Sequence, residues 1–311
     1  MTHSATAHAG APEAPSWAYA LPFTLVWASA FPATKFALLD SPPLLFLAGR
    51  FLLAGLLLLA WAWWQGERIH PSRADWLALI VLAGCNHALY LGMSWSAMRE
   101  ASAGLATIII GAGPIVVSVL AVPVLGERLT WRKAAGLLLG FAGMVFIVRH
   151  RLGGQIDTLH GTLLLLVALA LLSTGTVLYK RLRVGIGSSA NVALQLLLAA
   201  AIMLPWALAT ESLDDVHPNA RLAASMAWSV AVVSVVGYML WFALLRRADA
   251  SRASAWLFLT PPLGLLVGWA VLGEPLALDD FLGVIPVIAG IALVTRAGAM
   301  PKPSALPAPC R

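Results

Sequence analysis

Residues 102–148 read SAGLATIIIGAGPIVVSVLAVPVLGERLTWRKAAGLLLGFAGMVFIV, and the chain repeats this stretch in loosened form. The second copy, RASAWLFLTPPLGLLVGWAVLGEPLALDDFLGVIPVIAGIALVT, ends at Thr295. At a constant offset of 147 residues, Pro114 matches Pro261 and Leu125-Gly126-Glu127 matches Leu272-Gly273-Glu274. The same register carries Leu129 onto Leu276, Gly136 onto Gly283 and Gly143 onto Gly290. An ungapped match that holds Pro, Gly and Glu together reads as two copies of one unit. Weak internal symmetry within apolar segments is the mark of repeat-built transporter folds.

The composition says which solvent those copies face. Sixty per cent of the 311 residues are hydrophobic and 11% are charged, which is outside the range of a soluble domain. A basic balance of +6 points to nucleic acid only when it is clustered on a soluble face. Here the basic residues lie in short breaks between apolar runs, so lipid is the partner and nucleic acid is excluded. Cys85 falls within an apolar run and Cys310 in the tail, a placement that does not suit a structural disulfide.

A spanning helix needs about 20 mostly apolar residues. Ten stretches qualify: 17–35, 43–64, 76–97, 102–124, 131–148, 159–180, 189–209, 222–245, 253–273 and 280–296. The expected fold is therefore an all-α integral membrane protein of ten transmembrane helices. Residues 1–16 form a flexible lead, 17–148 the first five-helix repeat and 149–158 a linker. Residues 159–296 form the second repeat and 297–311 a flexible tail. Fourteen of the twenty Lys and Arg residues fall on the side of the termini, five on the other, and Arg50 lies within the second helix. The positive-inside rule then puts both termini in the cytoplasm. Five helices per copy turn the second copy upside down, which makes the repeat an inverted one. Such a repeat supports alternating access around a site near mid-membrane.

The chemistry is sparse. All fourteen acidic residues lie in loops, termini or segment ends, and six of the seven histidines are equally peripheral. No nucleophile, base and orienting group come together, so no catalytic residue, metal site or cofactor is expected. No GxxxxGK[ST] loop is present to cradle ATP phosphates. What remains is a secondary or passive carrier.

Polar groups in lipid face the protein interior or a watery cavity. Asn86, His87, Tyr90 and Ser94 on the third helix form such a set, with 87, 90 and 94 at helical spacings of three and four. The alternative is simple hydrogen bonding to neighbouring helices. Tyr238 on the eighth helix, 148 residues after Tyr90, offers the counterpart, with Gly237 and Trp241 beside it. Trp17, Trp61, Trp63, Trp64, Trp76 and Trp131 suit an interfacial belt. Trp27, Trp241 and Trp256 lie deeper and, with Tyr179, complete the expected cavity lining. Aromatic walls suit flat or apolar solutes and hold ammonium groups by cation–π attraction.

Gly111, Gly113 and Pro114 in the fourth helix, and Pro261 and Pro262 in the ninth, mark breaks near the middles of their helices. Proline removes a backbone donor and clashes with the preceding turn, so these positions are either packing kinks or paired hinges. Gly136, Gly140, Gly143, Gly283 and Gly290 read as close helix packing. Arg50 either snorkels to the headgroups or attracts an anionic solute group. Glu127 and Glu274 suit capping or hydrogen-bonding roles at helix ends.

Four pieces of sequence together resemble the drug/metabolite transporter superfamily in its ten-helix EamA-type form. They are LLFLAGRFLLAG around Arg50, the stretch from Tyr90 to Gly104, Pro114 with LGERLTWRKAAG, and Pro261 with LGEPLALDDFLG. The likeness runs from about Trp17 to Thr295 and is nearest to YddG-type amino-acid exporters. One departure is Pro275 after the second Gly-Glu, where the first copy has basic residues. The resemblance implies a bacterial inner-membrane exporter of metabolites, amino acids or drugs. Its expected partners are a small amphipathic solute, such as an amino acid, and the lipid bilayer, with the chain a monomer or weak homodimer. A multidrug or nucleotide-sugar carrier of the same fold is the alternative, followed by a non-transporting scaffold.

Overall fold

A computed structural model describes residues 16–149, 158–273 and 278–296. The termini, most of the linker, Glu274 and Pro275 lie outside the described residues. Helices fall at all ten expected places, and no strand occurs among the described residues. They are α1 (Trp17–Ala37), α2 (Pro43–Trp64), α3 (Arg73–Ala97), α4 (Gly104–Leu125) and α5 (Trp131–Val148). They continue as α6 (Leu159–Arg181), α7 (Ser188–Thr210), α8 (Ala220–Arg247), α9 (Ala250–Leu272) and α10 (Leu278–Arg296). Eight of them, α2 to α9, are long and apolar enough to cross a membrane. In α10 the apolar run is the shorter Phe281–Arg296.

Local chemistry sets the ends of these helices. Side-chain oxygens of Thr130, Thr158 and Asn219 accept first-turn N–H groups of α5, α6 and α8 at 3.3, 3.0 and 2.9 Å. Ser102 does the same for α4, accepting from Leu105 N–H at 3.2 Å. At the other end, α4 and α9 stop on Gly126 and Gly273, with φ of 69° and 67°. This left-handed backbone strains any side chain. The Gly of the doubled Leu-Gly-Glu is therefore a helix stop in both copies.

The peripheral carboxylates cap helices remote in sequence. Glu67, after α2, accepts the Ser189 and Ala190 N–H groups at the start of α7, at 3.3 and 3.0 Å. Glu211, after α7, accepts Leu44 and Leu45 N–H at the start of α2, at 3.1 and 2.8 Å. Glu127 accepts Ala250 N–H at 2.6 Å and Ser251 N–H at 3.3 Å at the start of α9. Lys133 sits 3.7 Å from Glu127 and donates to Ser251 Oγ at 3.0 Å, with Glu127 and Lys133 both buried. A carboxylate at a helix N-terminus meets free N–H groups and the positive end of the dipole. Asp40 binds Arg221 through two 2.7 Å contacts. The Arg221 guanidinium holds its carboxyl down from 3.8 to about 2.

Two compact units emerge, and neither is a chain half. One comprises residues 1–83 and 184–249, the other 84–183 and 250–311. In the first, α2 packs along α7, and α1 packs against α8. In the second, α5 packs along α10, and α6 packs against α4 and the later part of α3. The first unit thus holds the equivalent pair α2–α7, and the second holds the equivalent pairs α4–α9 and α5–α10. The glycines expected to allow close packing do so. A Cβ on Gly136 would stand 2.7 Å from the Gly290 carbonyl, and one on Gly143 2.8 Å from that of Gly283.

Candidate functional site: two interrupted helices and the side chains they present

Two helices carry most of the expected cavity residues, and both depart from α geometry at equivalent places. In α3 a π-helical turn occupies Gly84–Ala88, and in α8 a longer one spans Ser229–Gly237. A π-turn shifts the hydrogen-bond partner from four to five residues away, so it re-aims the side chains that follow, and it recurs at functional sites. Asn86 and His87 lie within the first, and Tyr238 follows the second directly.

In the first unit the π-turn of α8 leads into an aromatic cluster. Trp27 and Tyr238 meet edge to face, with ring centroids 5.7 Å apart. Phe23 stacks on Trp241 at 5.0 Å and tilts against Trp27 at 5.6 Å. Phe242 stacks on Tyr238 at 6.3 Å. These separations fall within the range of favourable ring pairs. The structure therefore brings together three of the expected residues, Trp27, Tyr238 and Trp241. It adds Phe23 and Phe242, whose spacing of four from Trp27 and Tyr238 was a usable signal. Arg50 does not reach outward. It is 3% exposed, its Nε–H donates to Ser234 Oγ at 2.8 Å, and it acts electrostatically on Tyr238. That burial excludes the snorkelling reading.

In the second unit the π-turn of α3 presents polar groups. His87 is fully buried, and Asn86, Tyr90 and Ser94 are buried as well. Both amide atoms of Asn86 and the Ser94 hydroxyl lack a hydrogen-bond partner among the described residues. Across from Asn86, α6 places Gly175, where a Cβ would come within 2.8 Å of Asn86 Cγ and would overlap Oδ1. Tyr179, one turn on in α6, is half-buried. Trp256 is half-buried too, but it packs on the apolar cluster of α5, α9 and α10 around Met144, Phe258 and Val287.

The proline positions are breaks in the helices. In α4 the helix Ala103–Gly111 gives way at Ala112 to Gly113–Leu125, with Pro114 in the first turn of the new piece. In α9 the helix Ala250–Ala255 passes through a 3-10 turn, Trp256–Leu259, before Thr260–Leu272 begins with its prolines in the first turn. Proline is tolerated there because first-turn N–H groups have no intrahelical partner. A Cβ on Gly111 would overlap Met144 Sδ, so a larger residue there requires that flexible side chain to shift. No cluster of His, Cys, Asp and Glu suited to a metal occurs among the described residues.

The profile of the EamA-like transporter family matches the chain twice, over residues 16–149 and 159–296. An uncharacterized transporter of Bacillus subtilis, YvbV, is 31% identical over 284 residues, covering 91% of this chain and 92% of that protein. An uncharacterized transporter of Archaeoglobus fulgidus is 29% identical over 276 residues, 87% of this chain and 94% of its own length. A WAT1-related chloroplastic protein of Arabidopsis thaliana is 26% identical over 86% of this chain and 66% of its own length. A solved crystal structure superposes with a TM-score of 0.76 at 20% identity, over 90% of this chain and 97% of that one. At that identity the likeness speaks to the fold.

Proposed function

For this chain, which belongs to the EamA-like transporter family and is a multi-pass membrane protein, we propose a secondary exporter of small amphipathic metabolites. Amino acids, aromatic ones included, are the favoured solutes. One observation carries the reading. Two equivalent helices, α3 and α8, are interrupted by π-turns, one presenting buried polar groups and the other an aromatic cluster. Within the first unit Trp27, Tyr238 and Trp241 suit the rings or alkyl groups of an amphipathic solute, and within the second the buried polar groups of α3 suit a polar head. The inverted repeat supports alternating access as the route. Pro114 and Pro261 supply breaks at which α4 and α9 bend.

Transport without ATP hydrolysis or other catalysis fits a chain in which Glu67, Glu127 and Glu211 are engaged on helix ends. Charge asymmetry favours a bacterial inner membrane with both termini in the cytoplasm. The partners are the solute and the bilayer, with the chain a monomer or weak homodimer. Purified protein in liposomes should show saturable flux of labelled amino acids, measured with and without a pH gradient. Absence of saturable flux for every amino acid would overturn the proposal. Trp27→Ala and Tyr238→Ala should each raise KM about tenfold, the loss expected when a ring contact is removed; unchanged flux in both would remove the aromatic cluster from the site.

A further inference from the structure

The repeat places Asn86 of α3 and Ser234 of α8 at matching positions, 148 residues apart like Tyr90 and Tyr238. Both lie inside π-turns and both are buried. Their polar groups fare differently. Ser234 accepts the Arg50 guanidinium N–H at 2.8 Å. Asn86, 6% exposed, keeps both its amide nitrogen and its carbonyl oxygen without a hydrogen-bond partner among the described residues. A buried amide left unpaired is costly, and folded chains tolerate one where a ligand or water completes it. Gly175 shows that room is made for this amide. A side chain there would collide with Asn86 Cγ and with Cys85 Cβ, each at 2.8 Å.

We propose that the Asn86 carboxamide is the polar contact for the transported solute, and that it selects zwitterionic head groups. Resting on the transport reading above, this assigns the head-group chemistry to one residue. The amide is planar and neutral, with an N–H donor and a carbonyl acceptor side by side. Its complement is a head that is neutral overall and offers an adjacent acceptor and donor. The carboxylate of an amino acid accepts from Nδ2–H, and its ammonium donates to Oδ1. A lone cation or lone anion satisfies half of the amide and brings an uncompensated charge into a low-dielectric interior. Discrimination is strong where a site's own buried polar atoms are left unpaired by the wrong solute.

The test is competition against labelled L-phenylalanine flux in proteoliposomes at neutral pH. Unlabelled L-phenylalanine carries both charges, phenethylamine only the ammonium and 3-phenylpropionate only the carboxylate. Wild-type protein should prefer phenylalanine to either half-head by about tenfold or more. Asn86→Leu should raise KM for phenylalanine and bring the three competitors to within about threefold of one another. Asn86→Asp, nearly isosteric, should make phenethylamine the best competitor, an inversion that a purely packing role does not produce. Gly175→Ala, which displaces the amide without removing it, should raise KM with kcat kept. Where a variant's flux is too low to read, the solute-dependent rise in Tm reports the same ranking, and if Asn86→Leu fails to fold, Asn86→Asp decides alone. Saturable flux with an unchanged ranking in the variants would overturn this assignment and leave the transporter reading standing. No saturable amino-acid flux in the wild type would overturn both.

Discussion

The pairs α2–α7 and α5–α10 each join the same helix of the two repeats, the second in one case and the fifth in the other, yet they are fastened by different chemistry. The first is stapled at its ends, by Glu67 on the start of α7 and by Glu211 on the start of α2. Between the staples the two helices run antiparallel, and Gly55 of α2 lies against the Leu197 side chain of α7. The second pair is fastened along its length, by glycines that let one backbone touch the other. Duplication thus fixed which helices correspond, and left open how each pair is held. End staples put charge at the surface and tolerate large side chains between them. A glycine seam needs no charge, but every added atom is felt.

The largest effect should come from filling the seam. In Gly290→Ala the new Cβ would stand 2.5 Å from both the Gly136 carbonyl and the Gly140 nitrogen, which are backbone atoms with nowhere to move. Loss of monodisperse protein in detergent is expected, beyond the ~1–3 kcal/mol usual for overpacking. The matched control is Gly55→Ala in α2, where the closest obstacle is the flexible Leu197 side chain at 2.8 Å. It should lower Tm by only a few degrees. Equal damage in the two would mean that the seam is no more rigid than the stapled pair.

Removing staples should cost less. Glu67→Ala and Glu211→Ala each delete a carboxylate that accepts two N–H groups, and each should lose ~1–2 kcal/mol, the size of a helix cap. The staples sit at opposite ends of the pair, so the double variant should show the sum, read from denaturant unfolding. A double loss much below the sum would indicate that the side chains between the staples hold the pair unaided.

The smallest effect should be on acid sensitivity, and it should be confined to the unit with α2–α7. Arg221 holds the Asp40 carboxyl down to about 2 from 3.8. A depressed folded-state value means the stabilisation is present above the unfolded value of 3.8 and fades as pH falls through about 2. Tm should therefore decline between those limits in the wild type, and Asp40→Asn should lower Tm at neutral pH while flattening that decline. Arg221 is half exposed, so salt screening keeps the effect small. An identical acid decline in Asp40→Asn would assign the sensitivity to other groups.

Much of the candidate site stands out in the sequence. Asn86, His87, Tyr90, Tyr238 and Trp241 stood out because polar and aromatic groups in a lipid-spanning run are few, and their expense makes them conspicuous. Phe23 and Phe242 did not stand out, because phenylalanine in such a run is what lipid contact would also select. Trp256 looked like a pocket residue from its depth, whereas its ring packs on the α5, α9 and α10 cluster. The π-turns left no trace in composition: Gly84–Ala88 and Ser229–Gly237 read as ordinary helix.

By itself, the sequence determined where the helices lie, that the chain is doubled, and where its helices must stop. Those properties are local: apolar length, a fixed offset, and a glycine where the backbone turns left-handed. Only the tertiary structure decided that Arg50 turns to Ser234, that Glu67, Glu127 and Glu211 cap helices more than a hundred residues away, and that compact units cut across the repeats. Each depends on which surfaces meet, and lipid lets every apolar face look alike until packing chooses among them.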